Sequence, residues 1–196
     1  MNFIGIDVGL TGAVGIVENG NIYAEEIKTV KMLEGAYNTW YDADYLLERF
    51  RSLQPFNAII EYQRPMSKQG VTTMFRLGRG FGLLEGLIAS TANSYALIDP
   101  KQWQNYFIKK FLTKEEILAF KEKTKDIEYI KTQLNECEFK DFYVHYSSLK
   151  SASLTKLRSM YIYHKMSQIE KLPLLKNHNM IDALLLVSFS LKYNFS

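Results

Sequence analysis

The sequence is poor in the residues from which disulfide frameworks and zinc sites are built. It has one cysteine, Cys137, and three scattered histidines: His145, His164 and His178. A single cysteine excludes a disulfide framework and a cysteine-built zinc site, and scattered histidines argue against a histidine-built one. No apolar run reaches membrane-spanning length, and the first residues carry Asp7 without the basic start of a signal peptide. These absences predict a soluble protein of a reducing cytoplasm with no membrane partner.

The composition is that of a folded chain with a small positive charge. Of the 196 residues, 47% are hydrophobic and 23% are charged, which supplies enough apolar material for a core. The length fits one domain with room for an insertion. A formal net charge of +3 excludes a polybasic nucleic-acid coat, but it is compatible with a nucleic-acid enzyme that has local basic patches.

The charges are unevenly distributed along the chain. Residues 1–100 contain eight basic and eleven acidic side chains, whereas residues 101–176 contain fifteen and nine. Two segments have basic residues and no acidic ones: the first carries Arg64, Lys68, Arg76 and Arg79, the second Lys150, Lys156, Arg158 and Lys165. Cations attract phosphates and neighbouring serines position them, so two such segments favour a polyanionic partner. The alternative is a pair of solvated surfaces.

Hydrophobic periodicity predicts an α/β protein. Short β-branched segments at 2–8, 12–18 and 21–28, with an Asn-Gly turn between the last two, predict an antiparallel meander. Two more strands are predicted at 57–62 and 94–98, and helices at about 42–53, 73–91, 101–112, 114–136, 151–171 and 178–193. This order is typical of a mixed sheet with helices on its faces.

The domain prediction is a single unit, residues 1–196, from which residues 113–150 look separable. That segment contains a helix rich in lysine and glutamate and a short aromatic, strand-like piece. A helical insertion and an ordinary surface helix explain it equally well.

Three carboxylates lie at the ends of predicted elements of this sheet. Asp7 closes the first strand, Glu61 closes the strand at 57–62, and Asp182 lies near the start of an apolar helix. Each has an ordinary alternative: a turn-forming aspartate, a paired buried charge, or a residue that complements the helix dipole. Together they supply the oxygen ligands, negative charge and rigid supports that two hard divalent cations need.

Two polar residues precede Asp182 in the same helix. His178 and Asn179 stand four and three positions before it, so either can share its face. We expect one of them to cap the helix and the other to face the carboxylates.

The helix predicted at 73–91 carries a glycine stripe, with Gly78, Gly82 and Gly86 at four-residue intervals. Each glycine costs a helix about 1 kcal/mol relative to alanine, so the stripe needs a packing reason. One reason is contact with a second copy of the chain in a symmetric dimer. The other is close packing of this helix on the sheet.

The chain resembles the RuvC-like Holliday junction resolvases, and within them the phage-type group. The resemblance is carried by FIGIDVGLTGAVGIV at the start, IIEYQRPMSKQGVTTMFRLGRGFGLLEGLIA at 59–89, LIDPKQW at 97–103 and HNMIDALLL at 178–186. It covers residues 1–107 and 174–191. It implies an RNase H-like fold, in which a mixed five-stranded sheet joins the meander to two parallel strands. It also implies a homodimer that acts on the two symmetric strands of a four-way DNA junction.

The resemblance assigns metal ligands. Asp7, Glu61 and Asp182 correspond to acidic ligands of two Mg²⁺ ions about 4 Å apart, for which Mn²⁺ can substitute. The family usually has one more acidic residue or histidine shortly before the last aspartate. His178 can replace that ligand or help to move a proton, whereas Asn179 supplies no carboxylate.

The basic residues depart from the family pattern near the tryptophan of 97–103. The family usually has a lysine after this tryptophan, where this chain has Gln104, and Lys101 stands before it. The cations expected on DNA are Arg64, Lys68, Arg76 and Arg79 near the cut, with Lys101, Lys150, Lys156 and Arg158 elsewhere. The apolar side chains Tyr62, Met66 and Phe75 flank the site and can stack on bases at an opened junction, or simply pack.

The expected function is structure-selective cleavage of branched DNA by metal-dependent phosphodiester hydrolysis, leaving 5′-phosphate and 3′-hydroxyl ends. The expected location is a bacterial or phage-infected cytoplasm, and no nucleotide cofactor is expected. One alternative is a junction-binding module that has lost cleavage. The other is an actin-like or sugar-kinase-like ATP-binding protein, because such proteins also open with a strand and an Asp-Gly-Thr pattern, although they need a second copy of it.

Overall fold

A computed structural model describes residues 1–32, 38–65, 69–117, 154–170 and 177–193, together with Leu172, Leu175 and Phe195. The strands are β1 Asn2–Asp7, β2 Ala13–Glu18, β3 Asn21–Glu26, β4 Thr29–Lys31, β5 Thr39–Tyr41, β6 Phe56–Glu61 and β7 Ser94–Ile98. The helices bounded within these residues are α1 Ala43–Ser52, α2 Val71–Thr91, α3 Pro100–Phe111, α4 Leu154–Glu170 and α5 His178–Ser190.

The main sheet has five strands in the order β3-β2-β1-β6-β7. The pairs β1–β2 and β2–β3 are antiparallel, whereas β1–β6 and β6–β7 are parallel. The prediction of an α/β protein with a mixed five-stranded sheet flanked by helices is confirmed. The sequence patterns did not reveal β4 and β5, which pair antiparallel in a small separate sheet.

Local sequence explains several element boundaries. Asn19 and Gly20 adopt positive φ angles of 51° and 84°, as a tight turn between β2 and β3 requires. The carboxylate of Asp42 accepts a hydrogen bond from the backbone N–H of Tyr45 and so caps α1. Asp99 and Gln102 form a capping box at the start of α3, which begins with a proline.

Apolar cores lie on both faces of the sheet. On one face, alternate residues of the central strands, such as Ile4 and Ile6, pack against Phe50 of α1 and Leu84 of α2. The core on the other face includes Ile59, Trp103, Phe107 and Met160, together with Ile181 and the run Leu184 to Val187 of α5. That face carries α5, which lies across β1 and β2.

Two glycines let the backbone of α5 lie directly on the sheet. A Cβ atom on Gly5 in β1 would overlap the backbone nitrogen of Val187, and one on Gly15 in β2 would overlap the carbonyl oxygen of Ala183. Side chains at these positions would lift the helix from the strands. The close approach therefore fixes the position of α5, and with it Asp182, relative to the end of β1.

Alanine at Gly5 or Gly15 is expected to destabilise the protein by about 1–3 kcal/mol, because the added methyl group overpacks a backbone-to-backbone contact. Urea unfolding measures the effect. Gly9→Ala is the matched control, since a Cβ there has its nearest atom at 3.5 Å, an ordinary van der Waals distance. Equal stability of Gly5→Ala and Gly9→Ala would contradict this account of the α5 contact.

The predicted insertion at 113–150 falls mainly outside the described residues. A helical turn begins at Lys114, and Thr113 and Glu116 exchange the hydrogen bonds of a capping box. Residues 118–153 are not described. Within the described chain, no helix combines the length and the apolar character needed to cross a membrane.

A candidate active site at the carboxyl ends of β1 and β6

Two of the predicted site carboxylates end adjacent parallel strands. Asp7 is the last residue of β1 and Glu61 the last residue of β6, and these strands pair in parallel register. Their carboxyl ends therefore reach the same edge of the sheet. Asp182 reaches the same edge from helix α5, which packs on the sheet. It lies five residues before Val187, and Val187 contacts Gly5 of β1.

The three carboxyl groups are partly buried and influence one another. Burial raises the pKa of Asp7 well above its ordinary value, and the charges of Asp182 and Glu61 raise it further. Burial is the main reason that the pKa of Asp182 is raised to about 7, while a hydrogen bond with Ser159 opposes the increase and the charge of Glu61 adds to it. The site thus concentrates negative charge where water solvates it poorly, which a bound cation would relieve.

The donor set fits a hard divalent cation. The Oδ1 atom of Asp182 is buried and has no hydrogen-bond partner in the part of the chain that the structure describes. A buried carboxylate oxygen without a partner is costly unless a cation or water satisfies it. The described side chains contain no group of three His, Cys, Asp or Glu residues already gathered closely enough to hold one ion.

Glu61 is oriented by two hydrogen-bond donors. The indole Nε1 of Trp103 in α3 donates to Oε2 of Glu61 at 2.9 Å, and Nε2 of Gln63 lies 3.4 Å from Oε1. Burial raises the pKa of Glu61, and both hydrogen bonds lower it. Trp103 is 1% exposed, so its ring holds this donor in a fixed position.

Replacing Trp103 with phenylalanine is expected to slow any reaction that needs ionised Glu61 by about tenfold at neutral pH. Removing the N–H donor raises the pKa of Glu61, so the acidic limb of the pH–rate profile moves to higher pH. Phe107→Leu is the control, because Phe107 is equally buried one turn further along α3. An unchanged profile in Trp103→Phe, or the same shift in Phe107→Leu, would contradict the assigned role.

Lys156 lies beside the carboxylates. Its Nζ atom is 2.6 Å from Nε2 of His178, and its positive charge lowers the pKa of both Asp7 and Asp182. Burial and the nearby Lys156 lower the pKa of His178, so the ring is a neutral acceptor for the lysine. The sequence singled out Lys156 only as a cation for DNA, whereas the structure shows it offsetting the carboxylate charge.

The expected division of roles between His178 and Asn179 is wrong in one respect. Neither side chain caps α5, because Asn177 is the N-cap and accepts a hydrogen bond from the backbone N–H of Asn179. The side-chain amide of Asn179 instead donates to the carbonyl oxygen of Thr11, in the loop that follows Asp7. Asn179 thereby ties the start of α5 to this loop.

Several predicted DNA-binding cations are held by partners around the site. Arg64 forms an ion pair with Asp99 at 2.6 Å, and Arg158 donates to Oε1 of Gln104 at 3.0 Å. The guanidinium of Arg158 therefore lies beside the position at which the family pattern has a lysine. Lys101 lines an open cleft near Glu61.

Two arginines of α2 contact the small sheet. Arg79 lies 4.7 Å from the ring centre of Trp40. Burial, together with the charge of Asp7, raises the pKa of Tyr41 to about 12, and the charge of Arg76 opposes that increase. Tyr41 therefore lies within electrostatic range of both Asp7 and Arg76. The remaining candidate cations, Lys68 and Lys150, and the candidate stacking residue Met66, lie outside the described residues.

The explanation that the glycine stripe packs closely on the sheet is wrong. A Cβ atom at Gly78, Gly82 or Gly86 would have no atom of the described chain within 4 Å apart from the adjoining backbone of α2. The α2 glycine that does need its small size is Gly80, where a Cβ would lie 2.7 Å from the ring of Tyr41. The stripe itself faces outward, beside Phe75, which is 66% exposed.

Sequence reasoning missed three contributors to the site: Trp103, Ser159 and Tyr41. The position of Trp103, one residue past the capping box of α3, could have indicated a hydrogen bond to a nearby carboxylate, because a buried indole N–H needs an acceptor. Ser159 and Tyr41 gave no signal, since their roles depend on how α4 and β5 pack. Comparison with protein-family models and with curated protein sequences found no match.

Proposed function

We propose that this protein is a metal-dependent DNA endonuclease with an RNase H-like fold that resolves four-way junctions and related branched DNA. The observation that carries the proposal is the placement of Asp7, Glu61 and Asp182, three partly buried carboxyl groups that interact electrostatically near one edge of the sheet. The strand order, with an antiparallel meander joined to two parallel strands, supports the fold assignment.

Asp7, Glu61 and Asp182 would hold the ions. Two Mg²⁺ ions bound there, with Mn²⁺ as a substitute, would lower the pKa of an attacking water and would stabilise charge on the leaving oxygen of a phosphodiester. The unpartnered Oδ1 of Asp182 supports this role, because it offers a ligand atom that no described protein donor uses.

Other residues of the chain prepare this site. Trp103 fixes the orientation of Glu61, and Ser159 donates to Asp182. Lys156 reduces the net negative charge of the carboxylates, which lowers the repulsion felt by an approaching phosphate. Its contact with His178 keeps that ammonium group close to the site. The chain thus supplies orientation and charge balance.

Cutting the two symmetric strands of a four-way junction needs two active sites, which a homodimer would supply. The outward face of α2 supports such a homodimer. This face, the α2 face, contains Val71, Phe75, Gly78, Gly82 and Gly86, and its two large side chains are 79% and 66% exposed. Small residues allow a second helix to approach closely, and the apolar pair supplies area to bury.

Glutamate at Gly82 is expected to convert the dimer to a monomer. The substitution places a long charged side chain at the centre of the α2 face, where two copies would bring like charges together. Analytical ultracentrifugation of wild-type protein and Gly82→Glu measures the change, with Glu48→Gln, at an exposed position of α1, as a control. A monomeric wild-type protein, or a dimer unaffected by Gly82→Glu, would contradict the assignment.

Substrate selectivity tests the proposed function. A synthetic four-way junction and a linear duplex of the same sequence are incubated with protein in Mg²⁺, in Ca²⁺ and in chelator. The expected result is cleavage of the junction in Mg²⁺ and binding without rapid cleavage in Ca²⁺. Junction binding without cleavage in Mg²⁺ or Mn²⁺ would favour the binding module, and tight ATP binding without DNA would favour an ATPase.

A further inference from the structure

The hydrogen bond from Asn179 to Thr11 joins the two segments that carry Asp7 and Asp182. Thr11 lies four residues after Asp7, in the loop between β1 and β2, and the side-chain Nδ2 of Asn179 donates to its carbonyl oxygen. Asn179 lies three residues before Asp182, on the same face of α5. One hydrogen bond therefore connects the supports of two carboxylates that the proposed function assigns to the same metal ions.

The acceptor belongs to a tightly packed loop. The backbone N–H of Gly12 donates to the carbonyl oxygen of Gly9 at 2.9 Å, and the carbonyl oxygen of Gly12 accepts from the backbone N–H of Ile27 at 3.0 Å. A Cβ atom on Gly12 would overlap the carbonyl oxygen of Asp7. The loop is thus closed on itself and packed against the end of β1, which gives the carbonyl of Thr11 a defined position relative to Asp7.

The body of α5 is held on the sheet by a separate contact. The backbone of Ala183 lies directly on Gly15 of β2. Ala183 follows Asp182 in the chain, and Asn179 precedes Asp182 by about one helical turn. Asp182 therefore lies between the contact with the sheet and the contact with the loop. Loss of the loop contact would release the first turn of α5 while the rest of the helix stays in place.

Only a hydrogen-bond donor can make the contact with Thr11. A carbonyl oxygen accepts hydrogen bonds, and the amide of Asn179 supplies the N–H that it needs. An ionised carboxylate has no hydrogen to donate, so an aspartate here would place an oxygen against an oxygen. The resemblance implies an acidic residue or a histidine shortly before the last aspartate. The contact with Thr11 gives a physical reason for an asparagine at this position.

Asn177 has a different task at the start of α5. Its Oδ1 accepts from the backbone N–H of Asn179 at 3.0 Å, which caps the helix, and its Nδ2 donates to Oε1 of Glu26 at 2.9 Å. Neither of these side-chain bonds reaches the loop between β1 and β2. Two nearby asparagines thus divide the capping of α5 from its link to the loop, which supplies a matched control.

We propose that Asn179 is a positioning residue, whose hydrogen bond to Thr11 sets the place of Asp182 relative to Asp7 and so determines how tightly the carboxylates bind a divalent cation. The proposal rests on the proposed function, because it takes Asp7 and Asp182 as metal ligands. Residues that orient metal ligands without binding the metal typically change its affinity by about 10- to 100-fold when they are replaced. Asn179 then is not the substitute for a missing carboxylate ligand.

Mn²⁺ binding in the absence of DNA tests the positioning role. Electron paramagnetic resonance measures free Mn²⁺ during titration of wild-type protein and of variants at Asn179. Asn179→Ala is expected to bind Mn²⁺ about tenfold more weakly, because the link to the loop is lost. Asn179→Asp is also expected to bind more weakly than wild type, since its carboxylate repels the Thr11 carbonyl and displaces the first turn of α5. Asn179→Gln keeps an amide donor and is expected to recover most of the affinity.

Asn177→Ala is the control for helix stability. It removes the N-cap, so it is expected to lower the thermal unfolding temperature while leaving the Mn²⁺ affinity unchanged. Equal Mn²⁺ affinity of wild-type protein and Asn179→Ala, equal losses in Asn179→Ala and Asn177→Ala, tighter binding by Asn179→Asp, or no binding by wild-type protein would overturn the proposal. Mn²⁺ binding that depends on Asn179, in a protein that cuts no junction, would support the positioning role while rejecting the nuclease.

Discussion

Replacing Asp7 with asparagine is expected to reduce cleavage of a four-way junction by at least about a thousandfold, since loss of metal-supported charge stabilisation costs several kcal/mol. Asparagine has almost the same shape as aspartate but lacks its charge. Asp7 occupies the end of the central strand β1 and interacts electrostatically with both other carboxylates. Junction affinity is expected to stay within about threefold, because the phosphate-binding cations are unchanged.

Single-turnover cleavage in Mg²⁺ and junction binding in Ca²⁺ measure the two effects separately. Asp44→Asn is the matched control, because Asp44 is an exposed aspartate in the first turn of α1. It is expected to cleave at the wild-type rate. Cleavage by Asp7→Asn at the wild-type rate would contradict the site, and loss of both binding and cleavage would point to misfolding, which thermal unfolding detects.

Replacing Asp182 with asparagine is expected to stabilise the metal-free protein at pH 8 by a few kcal/mol, on the order of the cost of ionising a carboxyl group with so large a pKa shift. Its pKa rises from an ordinary 3.8 to about 7 on folding, mainly through burial. A raised folded-state pKa stabilises the protein fully below the unfolded pKa. This contribution is lost as the pH increases from about 4 to about 7.

The measurement is the free energy of urea unfolding in chelator at pH 5 and pH 8, compared between wild-type protein and Asp182→Asn. Comparing the two proteins removes the contribution of His178, whose lowered pKa acts in the opposite direction at acidic pH. Mg²⁺ is expected to restore stability at pH 8 in the wild-type protein only, because it binds the ionised carboxylates. Equal pH dependence in both proteins would contradict the burial of an ionisable Asp182.

Much of the sheet could be predicted because its determinants are local. Short β-branched apolar segments mark the strands, and the turn at Asn19 and Gly20 requires the positive φ angles that these residues accept. The helix predicted from about residue 42 begins at that point because Asp42 caps α1. Asp7 and Glu61 could be placed at one edge because parallel neighbouring strands end together.

Long-range packing accounts for what the sequence patterns did not reveal. The hydrogen bond from Trp103 to Glu61 joins residues 42 positions apart, and the contact between Gly80 and Tyr41 depends on where α2 crosses β5. The prediction of the residue that caps α5 was wrong for a different reason. Asn177, His178 and Asn179 are consecutive polar residues, and spacing alone does not show which one precedes the first helical turn.

The most direct test of the central claim is the mapping of cuts on a four-way junction whose opposing strands carry different end labels. With wild-type protein in Mg²⁺, the account predicts paired cuts at symmetric positions near the branch point, leaving 5′-phosphate and 3′-hydroxyl ends, and no cuts in chelator. A junction that is bound but left intact in Mg²⁺ and in Mn²⁺, or cut equally well in chelator, would contradict it.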